Sequence, residues 1–230
     1  MQQPARRATR GRPPTITRER IADAGIALGL PNITFVGLAA AMGVSHMALY
    51  KHVAGLEELK RLVADEIFRR WQIPQACSND VGELKQYLTL FAASVREFVK
   101  SHPGVTPYVI RRLAATPAMV AKIEGHQRHI AGAYGISMEQ SRILLATVAF
   151  HGMAVADTVY SVAGREPAVE AARAAEESEM ETELDQGMQA LIIGLLDMLE
   201  NDSPRKAAAR RKTESSGTDS DRRDEAALDG

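Results

Sequence analysis

The chain has 230 residues, 45% of them hydrophobic and 25% charged, the balance of an ordinary folded protein. Aromatic residues make up only 5%, while Ala, Leu, Glu and Arg are plentiful, which favours helices over sheets. The single cysteine, Cys77, excludes an intrachain disulfide and fits a reducing cytosol. No apolar run is expected to approach the roughly 20 residues that span a bilayer, and the basic start MQQPARRATRGRPP is not followed by the apolar core of a secretory signal. No membrane association and a cytoplasmic location are therefore expected.

The net charge of −1 hides an uneven distribution: residues 1–75 hold 11 Lys/Arg against 6 Asp/Glu, residues 76–200 hold 10 against 16, and the last 30 hold 7 of each. A positive end on a nearly neutral chain points to a polyanionic partner at that end only.

Taken in chain order, residues 1–14 are rich in Arg, Gly and Pro without a period and read as a disordered basic arm. Helical patterning begins at ITRERIADAGIALGL, with Thr17 as N-cap and Ile21, Ala24, Ala27 and Leu28 as an apolar stripe. Gly29 and Pro31 end it. Thr34 opens a second short helix, FVGLAAAM, closed by Gly43, and Ser45 caps a third, SHMALYKHV. A fourth, LEELKRLVADEIFRRW, carries Leu56, Leu59, Leu62, Val63, Ile67 and Trp71 at helical spacing until Pro74. This block, 15–62 with the fourth helix to about 73 as a connector, is the first domain.

The second spans 80–200. VGELKQYLTLFAASVREFVKS places Leu84, Tyr87, Leu88, Phe91, Val95 and Phe98 on one face. A break at His102–Gly104 and a short helix around 107–114 precede MVAKIEGHQRHIAGAYG, ended by Gly135. A helix over 138–163 is apolar on more than one face, so it must be enclosed on several sides. The acidic stretch AVEAARAAEESEMETE fits either helix or a mobile connection, and 184–199 is a last apolar helix. Residues 201–230 are charged and patternless and read as a disordered tail. The fold class is all-α: an N-terminal three-helix helix-turn-helix domain followed by a larger helical domain.

Within FVGLAAAMGVSHMALYKHV, Ala39, Gly43 and Leu49 follow at offsets of four and six. A helix-turn-helix wants a small residue where two helices cross, a flexible residue in the turn, and an apolar anchor on the second helix. The remaining face of that second helix then points away from the core, where a DNA major groove can receive it. The same pattern also occurs in helical hairpins whose polar face is simply solvated.

The segment ITRERIADAGIALGLPNITFVGLAAAMGVSHMALYKHVAGLEELKRLVADEI resembles the DNA-binding domain of the TetR family of bacterial transcriptional regulators. The resemblance rests on the I-A-x-A core, the Gly-x-x-x-hydrophobic-Thr link, L-A-x-x-M-G-V-S, A-L-Y-x-H and the closing L-x-x-L, over about 50 residues. The tetracycline-repressor-like wording, Leu-Tyr-x-His-Val, matches most closely. Two departures are Val53, where many members have Phe, and Leu56, where many have a phosphate-reaching Lys.

The resemblance implies that residues 45–51 enter the major groove. His46, Met47 and Lys51 would face base edges, Lys51 suiting guanine acceptors and Met47 a thymine methyl. Ser45, Tyr50, His52 and the helix end capped by Thr34 would meet phosphates, and Arg6, Arg7, Arg10 and Arg12 of the arm would bind phosphates or the minor groove. It also implies a homodimer through helices about 138–163 and 184–199, a double-stranded DNA operator, and a small-molecule effector with no cofactor. The effector's chemistry is left open; Phe91, His126, Phe150, His151 and Asp157 are the candidate ligand-binding residues. The location implied is the bacterial cytosol, at the nucleoid.

His126 and His129, three apart, would share a helix face as metal ligands, but neither Cys nor an H-E-x-x-H pattern accompanies them. No Gly-rich phosphate loop or nucleophile–base pattern is visible, so an enzyme is not expected. The leading expectation is a ligand-released repressor at a palindromic operator. The alternative is a helical protein-interaction adaptor whose basic arm binds DNA only non-specifically.

Overall fold

The computed structural model describes residues 16–76, 83–110, 115–163 and 170–201, with backbone alone at 161–163 and 170–173. The expectations for the basic arm, for Cys77 and for the tail beyond Asn201 lie outside the described residues. The described residues form helices α1 (Arg18–Leu28), α2 (Phe35–Met42), α3 (His46–Leu49), α4 (Leu56–Arg70), α5 (Leu84–Ser101), α6 (Thr106–Val109), α7 (Pro117–Tyr134), α8 (Met138–Ala163) and α9 (Glu170–Asn201), with a 3-10 turn at Leu30–Asn32. No strand occurs among them.

The chain divides into two compact units. Met1–Trp71 joins His102–Met119 in the first, and Gln72–Ser101 joins Val120–Gly230 in the second. The division differs from one continuous second domain over 80–200, because α6 packs on α4. Tyr108 Oη donates to Glu57 Oε2 at 3.5 Å, the Thr116 hydroxyl donates to Asp65, and Gly104, at φ +79°, brings its backbone against Pro31. The expected helix around 107–114 is α6, which begins at Thr106 and ends at Val109, and 111–114 lie outside the described residues.

In the first unit Thr17 caps α1 as expected, its Oγ1 accepting from Arg20 N at 3.3 Å. The buried face is Ile21, Ala22 and Gly25, not the expected stripe through Ala24, Ala27 and Leu28. The reason at Gly25 is closeness: a Cβ there would lie 2.4 Å from Val63 Cγ2, so only glycine lets α1 approach α4 at this point. From α4, Leu59, Val63, Ala64, Ile67 and Phe68 complete this core, whereas Leu56, expected on its apolar face, is 41% exposed.

In the second unit α5 buries all six residues assigned to its apolar face, together with Ala92 and Val99. It packs on α8 and α9. Gly152 of α8 sits where an added Cβ would meet Val95 at 3.1 Å and Met188 at 3.3 Å, so a bare backbone sets the approach of three helices. The acidic stretch before residue 184 is helical and continuous with the apolar helix after it, both lying within α9. Two expectations about apolar length therefore change. Separate segments become one 32-residue helix. And Met138–Tyr160 of α8, 23 residues at a mean hydropathy of 1.5, is long and apolar enough to cross a membrane, contrary to the expectation that no run approaches that length. Its Leu144, Leu145, Val148, Met153, Ala156 and Val159 lie buried within this unit, as the core helix of a helical bundle requires.

Candidate nucleic-acid interface

Thr34 is extended and its Oγ1 accepts from Gly37 N at 3.0 Å, closing the first turn of α2. At the other end Gly43 adopts φ +68°, ψ +33°, and its N–H reaches Ala39 O and Ala40 O while Val44 N donates to Ala39 O. A left-handed residue at this place turns the chain sharply, which is why glycine suits it. Two residues on, Ser45 starts α3, its Oγ accepting from Ala48 N at 3.3 Å. Ala39 is buried at the crossing and Leu49 is fully buried as the anchor. Ala39, Gly43 and Leu49 thus hold the three roles assigned to them.

The third helix is shorter than expected. It ends at Leu49, and Tyr50–His52 form a turn in which His52 N and Val53 N both donate to Leu49 O. The cause lies downstream: Val53 is buried, and Glu58 Oε2 already accepts from Ala54 N at 2.7 Å to open α4. The chain must leave the helix early to make both contacts. The outward surface is accordingly one helical turn followed by a hairpin-like exit.

Thr34, Ser45, His46, Met47, Tyr50 and Lys51 are all exposed, and His52 is half-buried. Met47, at 63% exposure, projects a long apolar side chain into solvent. Tyr50 lies flat on Phe35, ring centroids 4.3 Å apart and planes 12° from parallel. The stack fixes the ring, yet the residue is 48% exposed. Phe35 escaped the sequence reading because its spacing to Leu38, Ala39 and Met42 is that of a core stripe. Val36 also escaped it: it is 70% exposed at the second residue of α2, and nothing in its type marks it as an outward residue.

The ligand candidates separate. Phe91 and His126 are buried together at 5.9 Å between ring centroids, and His126 Nε2 is hydrogen-bonded to Tyr87 Oη at 2.6 Å. Burial, then the nearby His129 and Lys122, pull the His126 pKa down to about 4, so the ring is neutral near neutral pH. Phe150 (45%) and His151 are exposed and Asp157 is half-buried, and none of the three joins that cluster. The His126 and His129 rings stand 6.4 Å apart, and no group of three potential metal ligands occurs among the described residues. A cavity of about 200 Å³ lies between α5, α8 and α9, and none of the five candidates lines it.

A capped α2, a left-handed glycine and a short anchored α3 with a bare outer face define a helix-turn-helix, here preceding a larger helical unit. The fold is that of the TetR regulators. A TetR variant from Acinetobacter baumannii AYE in complex with minocycline superposes with a TM-score of 0.59 at 17% identity, covering 80% of this chain and 98% of that one. The TetR-family protein ActR of Streptomyces coelicolor, in complex with (S)-DNPA, gives 0.59 at 16% identity over 80% of this chain and 99% of the other. By sequence the chain is 29% identical over 102 residues to the HTH-type transcriptional repressor DrrR1 of Streptomyces coeruleorubidus, a match that spans 43% of this chain and 37% of that protein. No family model matches the chain.

Proposed function

We propose that the protein is a TetR-family transcriptional repressor that binds a palindromic operator as a homodimer and is released by a small organic effector. The observation that carries this reading is the exposed face of Ser45–Lys51, held by a buried Leu49 and a stacked Tyr50 and built from side chains suited to DNA. Ser45 uses a lone pair in capping and keeps its O–H for a phosphate oxygen. Lys51 offers donors to guanine acceptors, Met47 a surface for a thymine methyl, and His46 either role. The amide end of α2 behind Thr34 and the Tyr50 hydroxyl position the domain on phosphates, with His52 beside them and Arg6, Arg7, Arg10 and Arg12 adding screened attraction.

Dimerisation is supported by apolar surface left open on the last two helices: Ile143 (42%) and Phe150 (45%) on α8, seven residues apart, and Ile193 (53%) and Met198 (64%) on α9. A second copy covering this face with two-fold symmetry would present two α3 turns to successive major grooves, roughly 34–36 Å apart. Phe150 is then read as an interface residue and not as a ligand contact. A route for release is supported by α6, which packs on α4 of the DNA-reading unit while joined in sequence to α5 and α7. The reading places the protein in the bacterial cytosol and involves no catalytic step.

The test is to incubate the purified protein with sheared DNA of its own genome at near-physiological salt and sequence what is retained. Recovery of a short inverted repeat supports the reading, and Lys51→Ala or Tyr50→Phe should then abolish or sharply weaken that selection while the protein stays folded and dimeric. Retention without sequence preference that fades steeply with salt would overturn it in favour of an adaptor with a basic arm.

A further inference from the structure

Helices α5 and α9 are joined at one end by a ladder of polar contacts. Arg96 pairs with Asp185, and one turn further Lys100 Nζ donates to Glu181 Oε1 at 2.8 Å. Tyr160 Oη of α8 donates to the same Glu181 oxygen at 2.9 Å, and Lys100 lies over the Tyr160 ring at 4.9 Å. As the α5 partner advances by four residues the α9 partner retreats by four, so the two helices run antiparallel. Past Arg96, on the side away from this ladder, the facing residues of α5 are Ala92 and Ala93, and α8 contributes Gly152. Nothing large fills the space, and the cavity of about 200 Å³ opens there, with Met188 and Ile192 of α9 on its apolar side.

We propose that this cavity binds a small amphipathic carboxylate, its head on Arg96 and its apolar body along Ala92, Met188 and Ile192. Three features fix the chemistry. The cavity has one cationic wall residue, and that guanidinium is the more enclosed member of its ion pair: the Arg96 side chain is 29% exposed and the Asp185 side chain 62%. A pair so open to water, held by a single contact, contributes little, so an entering carboxylate takes the place of Asp185 at little cost and can use the bidentate match that guanidinium offers. The length is set by the lining: Thr89 to Arg96 spans seven residues of α5, about 10 Å, which suits a chain of about eight carbons. The volume lies below the roughly 300–1,000 Å³ usual for drug-sized ligands, which excludes large polycyclic compounds from this site. Occupancy would exchange the Arg96–Asp185 cross-link for a ligand contact and so alter how α9 is held to α5. This last consequence, release from DNA, rests on the reading of the protein as an effector-controlled repressor; the binding itself does not.

The experiment is calorimetric titration of the full-length protein with octanoate, octan-1-ol and octylammonium. The expected result is saturable binding of octanoate, with the alcohol weaker by about tenfold, the size of one charge-assisted hydrogen bond, and no binding of the amine. Arg96→Gln, at a partly exposed position, should weaken octanoate by the same factor without changing the melting temperature appreciably. Ala92→Leu should fill the cavity and remove binding, and Ala93→Leu serves instead if the first variant melts early. Absence of octanoate binding in the wild-type protein, equal binding of all three ligands, or binding untouched by Arg96→Gln would each overturn the proposal. Addition of octanoate to an operator-bound complex is read separately: binding without release keeps the site and removes its role in the repressor reading.

Discussion

Helix α3 is four residues long and buries one of them, Leu49, whereas α5 is eighteen long and buries eight. The short helix does not hold itself; isolated helices of that length are unstable in water. It is held by the Ser45 cap, the Leu49 anchor and the ring of Tyr50 lying on Phe35. Each of these acts on one edge, so the outward side chains contribute almost nothing to stability and are free to be chosen for what they touch. In α5 the opposite holds, and nearly every apolar residue is fixed by what packs against it. The two regions should therefore respond differently to the same kind of change.

The sharpest separation comes from Leu49→Ala. Removing the one buried side chain of α3 should cost about 2–5 kcal/mol, read as a shift in urea midpoint, and operator binding should fall with it. Met47→Ala, two residues earlier and 63% exposed, should stay within about 0.5 kcal/mol of wild type while losing preference at one operator position. If both variants lost stability alike, α3 would not be the outward-facing element described here.

Acid distinguishes the units next. His126, in the second unit, has its pKa lowered from 6.5 to about 4, mainly by burial. Below pH 6.5 the unfolded chain takes up a proton that the folded ring refuses, so stability falls from there to about pH 4 and is flat above. Glu66, in the first unit, has its pKa lowered from 4.5 to about 2, chiefly by the Arg69 hydrogen bond and then by Arg70. Its contribution is full above pH 4.5 and is lost only as pH falls from there towards 2. Near pH 5, inside the His126 window and above that of Glu66, the refused proton on His126 is worth roughly 1–3 kcal/mol. Urea melts near pH 7 and pH 5 should show this loss in the wild type and not in His126→Gln. Overlaying wild-type curves would mean that the folded ring accepts its proton as readily as the unfolded chain.

These differences also explain what was legible in the sequence. Thr17, Thr34, Gly43 and Ser45 act on backbone groups within five residues, so their roles follow from type and spacing, as does the buried face of α5. The buried face of α1 departs from the expected stripe because Gly25 is set by its closeness to Val63 of α4, more than 30 residues away. The Tyr87–His126, Arg96–Asp185 and Tyr160–Glu181 contacts join residues 21 to 89 apart, and no local pattern announces them. The ligand candidates Phe150 and His151 failed to join Phe91 for the same reason: periodicity says that α8 is apolar on several sides, not which side meets α5 and which stays open.

Caps give smaller effects. Thr34→Ala and Ser45→Ala each remove one side-chain acceptor from a helix start and should cost about 1 kcal/mol in urea melts. If Ser45 also donates to phosphate, its variant should lose more operator affinity than stability, with the salt dependence unchanged because no charge is removed. Equal losses in both assays would confine Ser45 to capping.

The smallest expected effect tests how α3 is aimed. Phe35→Leu keeps an apolar residue at the first turn of α2 but removes the ring on which Tyr50 lies. Such stacking is worth about 0.5–1.5 kcal/mol beyond buried area, and the loss should be shared between stability and the free choice of Tyr50 rotamers. Operator affinity should then drop by up to about threefold, with the preferred sequence unchanged, because the side chains that would read bases stay in place. Combining Phe35→Leu with Tyr50→Phe should give less than the sum of the two losses, since the first variant already frees the hydroxyl that the second removes. Strict additivity would mean that Phe35 supports α3 only by filling space, and that the Tyr50 hydroxyl needs no aiming.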